Sequence, residues 1–182
     1  MLHALRTKGF HGVGLSQLLA HAQAPKGVLY HHFPGGKTEL AIAAIDVVVD
    51  HITTALDALL ARHDDPTLAL TAWLAEAQKG LLGSGYEKGC PLATIALESS
   101  ADDTLIRAAV AQGFAAIRET LRRGLVRSGI SPDRAGSLAT LIVSAYEGAL
   151  IQARVAGNPK PLQDTSRTLL DIVRASLPVK QP

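Results

Sequence analysis

The residues best suited to chemistry lie in one short segment, Lys26-Gly27-Val28-Leu29-Tyr30-His31. A lysine ammonium neutralises a phosphate or donates to a guanine edge. Tyrosine and histidine reach a phosphate or a thymine methyl, and a glycine among them lets the backbone come close. Together these are the groups of a nucleic-acid contact, and they need a short rigid element to present them. Pro25 suits the first position of such a helix, since its missing N–H would be unpaired there anyway. Val28 and Leu29 are expected to face inward, leaving Lys26, Gly27, Tyr30 and His31 outside. Upstream, Leu15, Leu18, Leu19 and Ala22 fall at i, i+3, i+4 and i+7, one apolar stripe of a helix. Gln23-Ala24 is the turn between them. Helices this short do not persist alone in water, and two crossing at a tight turn form a helix-turn-helix. The expected contact set also takes in Ser16 and Gln17 on the first of the two helices.

Charge agrees with this reading. Residues 1–38 carry Arg6, Lys8, Lys26 and Lys37 and no acid, a balance of +4, against a formal +2 for the whole chain. A basic end on a slightly acidic body is the footprint of a nucleic-acid-binding unit. The plainer reading of the same segment is a solvated helical hairpin.

Gly9-Phe10, Leu18, Ala20, Lys26-Gly27, Leu29-Tyr30-His31-His32-Phe33 and Lys37 resemble, in order and spacing, the DNA-binding signature of the TetR family of bacterial transcriptional repressors. APKGVLYHHFPGGK and Gly89-Cys90-Pro91-Leu92-Ala93 are similar to the branch that includes the lincomycin-resistance repressor LmrA. The resemblance implies a phosphate contact for Lys37, with His32 and Phe33 packed inside. It departs at two points. Val13 and Gly14 stand where Thr or Ser is usual, so the helix cap is lost or moved to Ser16. Gln23 stands where Gly is usual, which asks a non-glycine residue for positive φ. The first helix, Met1 to Lys8 with Gly9 ending it, is about half the family's length, so either the start lies upstream or the arm is lacking.

The remaining chain reads as helices and loops. A long helix from about Lys37 to His63 is followed by Asp65 as N-cap and Pro66 as the start of a helix to about Leu82. Residues 91–99 form a short apolar helix, and Ser100 with Asp103 resembles a capping box opening a helix to Arg127. Helices over 132–155 and 162–177 follow, joined by Gly157-Asn158-Pro159. The expected fold is all-α: a three-helix head (residues 1–36) on a body of about six helices (37–178), with a loose tail (179–182).

Composition excludes several classes. With 182 residues, 47% hydrophobic and 19% charged, the chain is globular and large enough for one sizeable core. No run of about 18 apolar residues or secretory leader can be read, and the single Cys90 fits a reducing compartment, so a cytoplasmic protein without membrane contact is expected. The seven histidines all fall in the first 63 residues, but His31 and His32 diverge on a helix and no cysteine or carboxylate sits at ligand spacing, so no metal or other cofactor is expected. Cys90 reads as a packed apolar residue rather than a redox sensor. No nucleophile-base-acid arrangement or phosphate loop points to an enzyme.

The resemblance further implies a small-molecule effector held in an apolar pocket of the body. Trp73, Ile95, Phe114, Ile117 and Tyr146 are candidate lining, and Glu98 and Glu147 candidate anchors. Residues 132–155 are apolar on nearly every face and 162–177 are amphipathic, so these helices are expected to pair with a second copy in a four-helix bundle. Ala139, Ala145, Gly148, Ala149, Leu169 and Val173 are the expected interface. The function implied is a ligand-responsive repressor that binds a palindromic DNA operator as a homodimer and is released by a small hydrophobic effector. The alternative is a helical, small-molecule-binding dimer whose shortened head no longer reads DNA.

Overall fold

The computed structural model describes residues 1, 5–7 and 9–178. Residues 2–4 and 8 of the expected first helix, and the expected tail at 179–182, lie outside the described residues. Leu5–Thr7 are helical, and no strand occurs among the described residues. Eight helices follow: α1 (Leu15–Ala22), α2 (Lys26–His32), α3 (Gly36–Arg62), α4 (Pro66–Gly83), α5 (Pro91–Glu98), α6 (Thr104–Arg127), α7 (Pro132–Ala156) and α8 (Lys160–Ala175). The fold is all-α, as expected.

Local chemistry accounts for most of the bounds. Asp65 caps α4 by accepting the Thr67 N–H at 2.8 Å and the Thr67 hydroxyl at 2.7 Å, with Pro66 next. Gly157, at φ 62°, ends α7 in the left-handed conformation. Some details differ from expectation. Pro25 is the N-cap of α2 rather than its first residue, and α1 starts after Gly14 with no side-chain cap, so Ser16 does not take up that role. The Ser100–Asp103 pair closes a turn ahead of α6: Asp103 Oδ2 accepts both the N–H and the hydroxyl of Ser100, and the Asp103 carbonyl accepts the Arg107 N–H.

Gln23 adopts φ 50° and ψ 34°, the left-handed conformation that its place in the turn demands. Its side chain makes this cost about 1 kcal/mol that glycine would not incur. Gln23→Gly is therefore expected to stabilise the α1–α2 unit by about that amount. Slower amide exchange over residues 15–32, with the rest of the chain unchanged, would confirm it.

Two compact units make up the chain. The first joins residues 1–50 to 89–114, so α5 and the start of α6 belong with the helix-turn-helix. Leu5, Phe10, Leu18, Leu29, Ile45, Leu92 and Ile106 are among its buried residues. Gly113 lets α6 approach closely here: a Cβ on it would lie 2.8 Å from Val49 and 2.9 Å from Leu92. The second joins residues 51–88 to 115–182. Its core includes Leu56, Leu70, Leu121, Leu138, Ile142 and Val173, with α8 packed on both α7 and α4. This grouping by compactness cuts the chain elsewhere than the functional division expected at residue 36.

Candidate nucleic-acid interface

Helix α2 spans seven residues, and Leu29 is the residue it buries. Adjacent helix positions point about 100° apart, so one anchor leaves most of the cylinder outside. Lys26, Gly27, Tyr30 and His31 are all exposed, and so are Ser16 and Gln17 on α1. Lys26 Nζ lies 5.9 Å from the centre of the Tyr30 ring, a turn away on the same face. A Cβ on Gly27 would meet nothing within 4 Å, so this face is open. Tyr30 is steadied by the start of α3, where a Cβ on Gly36 would come within 3.3 Å of the ring.

Three side chains differ from the expected placement. Val28 is not packed inside but 47% exposed, because Leu29 alone fills the contact under this short helix. It adds an apolar group of the kind that meets a thymine methyl, which the sequence reading missed by assigning it to the core. His32 is exposed and Phe33 only half-buried, so neither forms part of the core. Lys37 is half-buried, with Nζ 4.5 Å from the centre of the Phe10 ring. Burial holds its ammonium below the usual lysine range, partly offset by the nearby Glu98 carboxylate.

The residues expected around an effector fall in both units. In the second, Trp73 packs against Tyr146 with ring centres 4.7 Å apart, Ile117 is buried and Glu147 half-buried. In the first, Ile95 is fully buried and Phe114 half-buried. Glu98 is turned toward the helix-turn-helix: its Oε2 accepts the His11 N–H at 3.0 Å. Among the described residues, no group of histidines, cysteines and carboxylates could hold a metal ion, and no helix is long and apolar enough to cross a membrane. Cys90 is buried.

Of the expected interface residues, Ala139, Ala149, Leu169 and Val173 are already buried within the chain. Ala145 and Gly148 are only partly covered, and a Cβ on Gly148 would meet nothing within 4 Å. They continue a stripe of α7 on which Leu141 (42%), Ile151 (43%) and Val155 (84%) are exposed. Beside it, an open groove of about 350 Å³ runs between α7 and α8, lined by Leu141, Ala145, Thr168 and Ile172 among others.

Residues 2–44 match the pattern of bacterial regulatory proteins of the TetR family, and residues 66–168 match the C-terminal domain of LmrA/YxaF-like transcriptional regulators. An HTH-type transcriptional regulator of Mycobacterium tuberculosis (strain H37Rv) is 32% identical over 179 residues, covering 96% of this chain and 90% of that protein. The HTH-type transcriptional regulator LmrA of Bacillus subtilis is 29% identical, covering 92% and 89%. Among solved structures, the regulatory protein TetR from Rhodobacter sphaeroides superposes with a TM-score of 0.82 at 25% identity, each chain covered to 93%. The match over residues 2–44 favours a regulator with a DNA-reading head over a helical dimer that has lost one. A helix-turn-helix with its polar face outside, an all-α body and these likenesses lead to one assignment: the chain belongs to the TetR family of transcriptional regulators, in the LmrA/YxaF-like branch, and is a ligand-responsive regulator.

Proposed function

We propose that the protein is a repressor that binds a palindromic operator as a homodimer, with one α2 in the major groove of each half-site. The observation that carries this reading is the outer face of α2, where Lys26, Gly27, Val28, Tyr30 and His31 are all exposed around one buried anchor. Lys26 and Tyr30 take phosphate or base-edge contacts, with His31, Ser16 and Gln17 beside them. Lys37, held against Phe10, contributes long-range positive charge more than a direct phosphate contact. The two copies meet along α7 and α8, over the stripe Leu141–Ala145–Gly148 and the groove beside it.

Selection of duplexes from a random-sequence pool with the full chain tests this. Enrichment of an inverted repeat with half-site centres about 34 Å apart, the pitch of B-DNA, is expected. Recovery of no sequence preference, with binding that depends only on salt, would rule the operator reading out.

The effector is a small, largely apolar molecule that contacts the Trp73–Tyr146 pair, with Ile117 among its apolar lining and Glu147 orienting it. It acts by binding one spacing of the two heads better than the other. Trp73 is the single tryptophan, so its fluorescence reports occupancy directly. A ligand that dissociates the operator complex is expected to change that emission with the same midpoint. Dissociation without any change at Trp73 would place the effector elsewhere.

A further inference from the structure

The loop leading into α1 is held at two points by residues far along the chain. His11 N–H donates to Glu98 Oε2 at 3.0 Å, and the His11 ring meets Asp103 Oδ2 through Nε2 at 3.1 Å. Gly9, at φ 69°, leaves room for this: the Glu98 carboxylate occupies the space that a Cβ on Gly9 would need. Asp103 is held in turn by the Ser100 N–H and hydroxyl, each at 2.8 Å. All of these residues lie in one compact unit. Neither carboxylate is on α2: Glu98 ends α5 and Asp103 precedes α6.

We propose that Glu98 and Asp103 are positioning residues for DNA binding, which hold the helix-turn-helix through His11. The inference rests on the reading of α2 as the DNA-contacting helix. A loop already held in place loses less conformational freedom when the head docks, which raises affinity without a new contact to DNA. Two carboxylates face His11, Asp103 at the turn and Glu98 on α5, and Lys37 on α3 lies near Glu98. The Ser100 N–H, then the Ser100 hydroxyl and His11, hold the Asp103 carboxyl below the usual carboxylate range, so it stays ionised through neutral pH.

The test measures affinity of the full chain for a duplex selected with the wild-type protein, at fixed ionic strength. Glu98→Ala is expected to weaken binding about tenfold with an unchanged salt slope, since no phosphate contact goes. Glu98→Gln keeps an acceptor for the His11 N–H and is expected to stay within about threefold of wild type. A carboxylate acting only by repelling DNA would give the opposite result, with both variants binding more tightly. A double-mutant cycle of His11→Ala and Asp103→Ala is expected to show coupling of about threefold per head, as suits a partly exposed pair. Equal affinities for Glu98→Ala and Glu98→Gln overturn the role of Glu98. A cycle without coupling overturns the role of Asp103. A Lys26→Ala control separates the two levels: if it also binds like wild type, the reading of α2 has failed, whereas a Lys26 effect beside silent Glu98 and Asp103 variants removes this inference alone.

Discussion

Gly148→Arg is expected to convert the protein from a dimer to a monomer and to abolish operator binding. In the single chain the position is open, with nothing within 4 Å of an added Cβ, so the arginine is accommodated without disturbing the core. In the proposed dimer the same position lies on the stripe Leu141–Ala145–Gly148, where two α7 helices approach. A guanidinium there is buried without a partner, at a cost of several kcal/mol in each subunit. The two-fold axis doubles that cost, and two heads that dissociate no longer gain from binding both half-sites together. Light scattering gives the mass and a melting curve shows that the fold is kept. A dimer of wild-type mass that still binds the operator would move the interface away from this stripe.

Lys26→Ala is expected to produce the largest loss of any substitution on the DNA-facing surface. Lys26 is exposed, its ammonium lies on the same face as Tyr30, and it forms no ion pair among the described residues, so it can meet DNA. One substitution removes two contacts from a dimer. If both are to phosphate, the slope of log affinity against log salt falls by about 2 in magnitude, with similar losses on all sequences. If Lys26 reads a guanine edge instead, the loss is about 1–3 kcal/mol per half-site and falls on one base pair of the repeat. Titrations at several salt concentrations on the selected duplex and on a scrambled one separate these outcomes. Wild-type affinity and slope on both would show that α2 does not dock by this face. Lys37→Ala is expected to have the smaller effect, since its ammonium is half-buried over Phe10.

Much of the helical framework was legible because short-range chemistry decides it. Asp65-Pro66 opens α4, Gly157 ends α7, and Gln23 takes the left-handed turn, all through groups within a few residues. The basic face of α2 was legible for the same reason: four residues at helical spacing, with no acid nearby, need no tertiary partner to be read. Tertiary packing decided which of two adjacent apolar residues goes in. Val28 and Leu29 are both apolar, yet Leu29 is buried under α2 and Val28 is exposed. It also chose the outward stripe of α7. A helix apolar on nearly all sides carries no amphipathic signal to separate core from interface. Only the positions of α8 and α4 show that Ala139 and Ala149 are covered while Leu141 is exposed and Gly148 only partly covered. Glu98 illustrates the limit most clearly. A carboxylate in an apolar stretch reads as a ligand anchor, but its partner, His11, lies 87 residues away, and only the folded chain brings the two together.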